Sequence, residues 1–129
     1  MRYRSYLWLA PTLLLAVIGC KASPKDRIQG RWIGERVDSF HGAQAGRASG
    51  WATGASFEFK GSRVKISIPA ESPREGTYQI AKASAEELTV NFLRQNGDVD
   101  TATFRFEGDE RLRWNLGDGR SVVLRKAGN

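Results

Sequence analysis

The chain has 129 residues, with 20 lysines and arginines against 14 aspartates and glutamates, and a formal net charge of +6 at pH 7. This length suits one compact domain and is too short for two. Because Cys20 is the only cysteine, an intramolecular disulfide is excluded, and the fold must be held together by its apolar core.

The N-terminal segment has the three parts of an export signal: basic residues at Arg2 and Arg4, a central apolar run, and small or aliphatic residues before Cys20. The stretch Val17-Ile18-Gly19-Cys20 resembles the lipobox that bacterial lipoprotein signal peptidase recognises. The resemblance implies that residues 1–19 are removed and that Cys20 is lipidated, with palmitate-like chains that contribute about 0.8 kcal/mol per buried methylene. The alternative is an ordinary secretory leader with a chance cysteine.

Loss of Arg2 and Arg4 with the leader would leave 18 basic residues against 14 acidic ones, a net charge of +4. A mildly basic domain outside the cytoplasm is not expected to bind nucleic acid. In bacterial lipoproteins an aspartate after the cysteine is associated with inner-membrane retention; Lys21 stands there, which favours the outer membrane. Residues 20–27 are predicted to be a lipidated flexible tether, and residues 28–129 to form the domain.

From residue 28 onward, apolar and polar residues alternate with a period of two between turn residues, a pattern typical of half-buried strands. Eight strands are predicted near residues 29–38, 57–60, 64–68, 78–80, 88–92, 104–106, 112–116 and 121–126. Their short connections predict an antiparallel up-and-down meander, and closure into a barrel would leave no open edge. The expected fold class is all-β, with at most a helical turn near residues 84–88.

The first strand opens with Gly30-Arg31-Trp32, which resembles the glycine-x-tryptophan signature of lipocalins and related small barrels. The resemblance implies a small lipocalin-like barrel that binds a small apolar or amphipathic ligand at its mouth. It also implies that Trp32 closes the other end beneath a basic side chain near the last strand, either Arg125 or, as the alternative, Arg120.

The predicted inward-facing set uses most of the large apolar side chains. It comprises Trp32, Phe57, Phe59, Val64, Ile66, Ile68, Tyr78, Ile80, Leu88, Val90, Phe92, Phe104, Phe106, Leu112, Trp114, Leu116, Val122 and Leu124. Each fully buried side chain of this kind contributes about 1.5–3 kcal/mol. A small domain without disulfides would lose much of this stabilisation if it kept a cavity open. A filled barrel or a small pocket is therefore favoured.

His41 is the only histidine, so a multi-histidine metal site is excluded, and no carboxylate spacing matches a known calcium or zinc loop. Ser39 lies near His41, but no motif places a serine nucleophile on a strained elbow. We therefore expect no catalytic residue, metal ion or cofactor, and the protein is not predicted to be an enzyme.

Trp51 has two interpretations. Glycines recur every four residues from position 42 to position 54 in a polar context, which favours a flexible loop over the barrel mouth with Trp51 at its tip. Alternatively, Trp51 continues the alternation that leads to Phe57 and is a core residue of one extended strand. Trp51, Tyr78 and His41 are the candidate contacts for a ligand or a partner.

Four arginines are expected to project outward from adjacent strands: Arg105, Arg111, Arg113 and Arg125. One interpretation is a basic stripe that contacts anionic lipid headgroups or an acidic polymer of the envelope. The other is cross-strand pairing with acidic residues. The pairs, which are the favoured interpretation, would each contribute about 0.2–1 kcal/mol and would use Glu107, Asp109 and Glu110.

Two functions from different classes follow. The first is a membrane-anchored lipoprotein of the bacterial envelope whose lipocalin-like domain binds a small apolar or amphipathic ligand. The second is a non-enzymatic interaction module or enzyme inhibitor with a filled barrel, directed at an envelope protein or at an enzyme of a host or competitor. In both hypotheses the membrane is a partner through the lipid anchor, and the domain is expected to be a monomer.

Overall fold

The computed structural model describes residues 23–128. The elements in chain order are α1 (Pro24–Ile28), β1 (Gly30–Asp38), α2 (Ala43–Thr53), β2 (Ser56–Lys60), β3 (Arg63–Ser67), β4 (Arg74–Ala83), β5 (Glu87–Leu93), β6 (Val99–Glu107), β7 (Arg111–Gly117) and β8 (Arg120–Lys126). Each strand pairs antiparallel with its neighbours in sequence, and β8 pairs with β1 to close the barrel. The predicted all-β, eight-stranded closed meander is confirmed.

The barrel has two distinct ends. The closed end holds the β2–β3, β4–β5 and β6–β7 hairpins together with the start of β1 and the end of β8; the mouth holds the opposite strand ends and α2. The predicted leader, its lipobox and Cys20 lie outside the described residues.

Helix α1 covers the closed end and shortens the predicted tether, because residues 24–27 are helical. Ser23 Oγ accepts a hydrogen bond from the Asp26 backbone N–H at 3.2 Å, and Pro24 occupies the first turn; both features favour a helix start. Ile28 is fully buried. The chain therefore enters the barrel through its closed end, where α1 packs against the core.

Trp32 plugs the closed end as the resemblance implied, but the predicted cation was wrong. Trp32 is fully buried and its Nε1 donates to the Ile28 carbonyl oxygen at 2.8 Å. Lys126 Nζ, and not Arg125, lies 5.5 Å from the indole centroid. Lys126 is the register partner of Trp32, so the two share a face, whereas Arg125 pairs with Ile33 and is exposed.

The core contains the predicted inward set with few differences. Ile66, Ile80, Trp114 and Leu116 are partly buried at its edge, and Ile68 is half-buried and lies outside the core cluster. Buried residues that sequence analysis missed are Ile28, Ala52, Ala55 and Val123.

The segment around Trp51 is neither a flexible loop nor a strand but helix α2, and Trp51 itself is partly buried and packs against the core. The helix packs against β1, where a side chain at Gly34 would collide with the Ala52 carbonyl oxygen. The Gly34 N–H donates to the Ala55 carbonyl oxygen at 2.9 Å. Residues 84–88, where at most a helical turn was predicted, form no helix and lead into β5.

Candidate ligand-binding cleft at the barrel mouth

A cleft of about 480 Å³ opens at the mouth, between β3 and β4 on one side and the β5–β6 connection on the other. This volume lies within the range of sites that take small molecules. The lining residues are Val64, Ile66, Pro73, Arg74, Glu75, Gly76, Phe92, Leu93, Arg94, Gln95, Asn96 and Asp100.

The floor of the cleft is apolar. Val64 and Phe92 are buried, and Ile66 packs against the core from the edge. Gly76 is the register partner of Val64 and faces the same side, so the absence of a side chain there leaves room above the floor. A side chain at Gly76 would also collide with the Leu93 carbonyl oxygen. The glycine therefore permits both the tight β4–β5 pairing and the open space.

The rim of the cleft is charged. Asp100 is the register partner of the buried Phe92, so its side chain is directed to the inner face. Arg94 holds this carboxylate with two hydrogen bonds, Nε to Oδ2 at 2.6 Å and Nη2 to Oδ1 at 3.0 Å. These bonds hold the pKa of Asp100 below its ordinary value. The pair is a bidentate ion pair that fixes one edge of the opening.

Arg74 is the second rim cation and is held differently. Its register partner is Ile66, so it also projects from the inner face. The nearest carboxylate oxygens, from Glu71 and Asp100, lie 3.6 and 3.9 Å from its guanidinium, beyond hydrogen-bonding distance. Among the described residues, no atom accepts a hydrogen bond from the Arg74 guanidinium. A forked donor without an acceptor therefore stands above the apolar floor.

Trp51 lies at the mouth but does not line this cleft. Its ring stacks on Trp114 with centroids 5.8 Å apart and planes 30° apart, and Trp114 meets Phe57 edge to face at 5.1 Å. These rings and α2 fill the part of the mouth beside β1 and β7. The cleft lies across the barrel from them.

Tyr78 and His41 are likewise outside the lining. The Tyr78 hydroxyl donates to the Gly61 carbonyl oxygen at 2.7 Å and accepts from Gln29 Nε2 at 2.8 Å, which ties it to the β2–β3 hairpin at the closed end. Burial raises the pKa of Tyr78. His41 is exposed in the connection between β1 and α2.

The rim residues Arg74, Arg94 and Asp100 were missed by sequence analysis. The signal that would have found Arg74 is its position two residues before Gly76 and four before the inward-facing Tyr78, which gives it the same parity on β4. Arg94 lies two residues after the inward-facing Phe92 and therefore has the same parity. Both side chains are charged, and the alternation of apolar residues that marks the inner face does not include them.

On the outer surface, the favoured pairing of Arg105, Arg111 and Arg113 is confirmed, mostly with partners other than those predicted. Arg105 contacts Glu86 at 2.6 Å, and Arg111 contacts Glu35 at 2.8 Å. The shortest contacts of Arg113 are to Asp38 at 2.6 Å, Glu107 at 2.7 Å and Ser121 Oγ at 2.7 Å. The hydrogen bond from Arg113 lowers the pKa of Asp38, and that from Arg111 lowers the pKa of Glu35.

No helix within residues 23–128 is both long enough and apolar enough to cross a bilayer. In the same stretch, no group of three or more histidine, cysteine, aspartate or glutamate side chains is placed to hold a metal ion. Comparison with protein-family models gives no match, and neither a curated protein nor a solved structure matches the chain.

Proposed function

We propose that the protein is a lipid-anchored lipoprotein of the bacterial envelope, in the outer membrane, whose lipocalin-like barrel binds a small amphipathic ligand in the mouth cleft. The observation that supports this most is the combination of an apolar floor and a polar rim in one cleft of about 480 Å³. Binding sites for small molecules typically combine apolar walls with a few polar groups that orient the ligand.

The shape of the cleft limits the ligand. The centre of the barrel is filled by aromatic side chains, with Phe57, Phe92 and Phe104 in mutual contact at 5.5–6.4 Å between centroids. A ligand would therefore stay at the mouth, with its apolar part on Val64 and Ile66 and its polar part at the rim. Each methylene that it buries contributes about 0.8 kcal/mol, so a compact tail is enough for measurable binding.

The proposed anchor sets the direction of the cleft. Cys20 is three residues before Ser23, a distance of about 10 Å at full extension, and Ser23 caps the helix at the closed end. The closed end would then lie beside the membrane, and the mouth would face away from it. A ligand would enter from the aqueous side of the envelope.

The second candidate function is a non-enzymatic interaction module for an envelope protein or an inhibited enzyme. The observation that favours it is that α2 covers the part of the mouth beside β1 and β7, where its Trp51 stacks on Trp114. In that case, α2 would present a rigid surface to a partner, and the cleft would have no ligand.

Native mass spectrometry of the domain from Ser23 onward, which contains the whole barrel, tests the ligand proposal. After export and gentle purification we expect a small-molecule adduct, which Ile66→Trp should remove by filling the cleft. Val99→Trp adds the same side chain at an exposed position outside the lining and should keep the adduct. A clean apo mass of the unsubstituted domain would shift the proposal to the interaction module.

A further inference from the structure

We infer that the ligand of the mouth cleft is an amphiphile with a carboxylate head, and that Arg74 binds this carboxylate. The inference rests on the proposed function, since it names the chemical class that the proposed site would take. The rim side chains around the proposed carboxylate are Arg74, Arg94 and Asp100, with Glu71 beside Arg74.

The first step is the difference between the two rim arginines. Arg94 directs two donors at Asp100, at 2.6 and 3.0 Å, so its fork is occupied. Arg74 has carboxylates within 4 Å, but its guanidinium donates a hydrogen bond to no described residue. A guanidinium offers donors in a planar fork that matches the two oxygens of a carboxylate. Arg74 is thus the group at the rim that is ready to take such an oxyanion.

The second step is the charge on the inner face of the rim. Arg74, Arg94 and Asp100 are directed inward, and Glu71 brings a second carboxylate to 3.6 Å from Arg74, so two cations face two anions. Glu75 borders the cleft but is the strand neighbour of Arg74, so its side chain projects to the outer face opposite Lys65. Asp100 is hydrogen-bonded to Arg94, so the guanidinium of Arg74 is the rim cation without a hydrogen-bonded carboxylate, and it stands above an apolar floor where an ionic contact is less screened than in open solvent.

The third step is the position of the floor relative to Arg74. Ile66 is the direct register partner of Arg74, and the two side chains lie on the same face of adjacent strands. A carboxylate on the guanidinium would therefore place the first methylenes of its tail over Ile66 and toward Phe92. The geometry suits a head and tail joined in one small molecule.

Asp100 acts as an internal competitor in this arrangement. Its Oδ2 lies 3.9 Å from Arg74 Nη1 while it is held by Arg94, so its negative charge faces the place where the ligand's carboxylate would bind. Removal of that charge should strengthen the binding of an anion, whereas loss of Arg74 should weaken it. The two substitutions are expected to act in opposite directions on the same ligand.

Isothermal titration calorimetry of the domain from Ser23 onward, with octanoate, 1-octanol and octylammonium as probes, tests the inference. We expect octanoate to bind about tenfold more tightly than octanol, and Arg74→Gln to weaken octanoate about tenfold while octanol is unchanged. Asp100→Asn should strengthen octanoate severalfold. The matched control is Arg31→Gln, which removes the same charge from an exposed position on β1 and should leave all affinities unchanged.

Three results would overturn the carboxylate assignment: equal affinity for octanoate and octanol, tighter binding of octylammonium, or an effect of Arg74→Gln no larger than that of Arg31→Gln. In each case a probe still binds, and the proposed function survives if Ile66→Trp, which fills the cleft, removes that binding. If none of the three probes binds, the proposed function fails, and the inference fails with it.

Discussion

Substitution of Gly34 by alanine should loosen α2 from the barrel. The added methyl group would collide with the Ala52 carbonyl oxygen, and this oxygen belongs to the helix backbone, so no side-chain rotation relieves the contact. Overpacking of this kind costs about 1–3 kcal/mol. For a domain of this size, 1 kcal/mol shifts Tm by about 4–8 °C, so we expect a fall in Tm of roughly 10 °C.

Gly46 provides the matched control, because it lies within α2 and nothing is near the position that its side chain would take. Gly46→Ala makes the same chemical change and should stabilise the domain by about 0.5–1 kcal/mol, since alanine favours a helix interior over glycine. Urea unfolding followed by tryptophan fluorescence compares the two variants, and Trp51 also reports on movement of the helix. The reasoning is refuted if Gly34→Ala unfolds at the same urea concentration as the unsubstituted domain.

Three further predictions concern the closed end, the outer surface and the anchor. Lys126→Ala should lower the free energy of unfolding by about 0.5–1 kcal/mol through loss of the cation over the buried indole, whereas Arg125→Ala should change it little. Equal losses for the two variants in urea unfolding would contradict the assignment of Lys126 as the cation over Trp32. Arg113→Ala should cost about 1–2 kcal/mol. Arg113 lowers the folded-state pKa of Asp38. The stability that this pair contributes is therefore present above the ordinary pKa of 3.8 and is lost as the pH falls below it. The difference in unfolding free energy between variant and parent should narrow in acid, and a difference that does not change with pH would exclude this linkage. Cys20→Ala in the full chain should abolish incorporation of labelled palmitate, and a variant that still carries label would rule out the proposed lipid anchor.

The strands and the core were predictable because they depend on a local rule. Alternation along β5 and β6 assigns Leu88, Val90, Phe92, Phe104 and Phe106 to one face, and all five are buried. A period of two survives any arrangement of the strands, since it reflects only the pleat of each strand. The up-and-down order then follows from short connections.

Helix α2 was not predictable by the same rule. Its sequence contains two glycines, Gly46 and Gly50, which disfavour a helix by about 1 kcal/mol each relative to alanine, and its apolar residues form no clear stripe. The helix exists because of tertiary contacts: Ala52 fits against Gly34 on β1, and Trp51 stacks on Trp114 of β7. Such pairings join residues distant in sequence, and no local pattern contains them.

The cleft was missed for a different reason. Its existence depends on the register between strands, which places Arg74 beside Ile66 and Asp100 beside Phe92. Sequence parity assigns each residue to a face, but it does not say which residues of neighbouring strands are directly opposite. The exchange of Lys126 for the predicted Arg125 over Trp32 has a different origin. Parity along β8 places Lys126 on the same face as Val122 and Leu124, and Arg125 was expected there only from the resemblance to lipocalins.

The location of the binding site is the most direct test of the account. A titration of the ¹⁵N-labelled domain from Ser23 onward with octanoate, followed by NMR, reports which backbone amides sense the ligand. We expect the largest shifts at Ile66, Gly76, Leu93 and Arg94, with little change at the closed end around Trp32. Shifts centred on Trp51 and α2, or no saturable shifts, would contradict the proposal that the mouth cleft is the functional site.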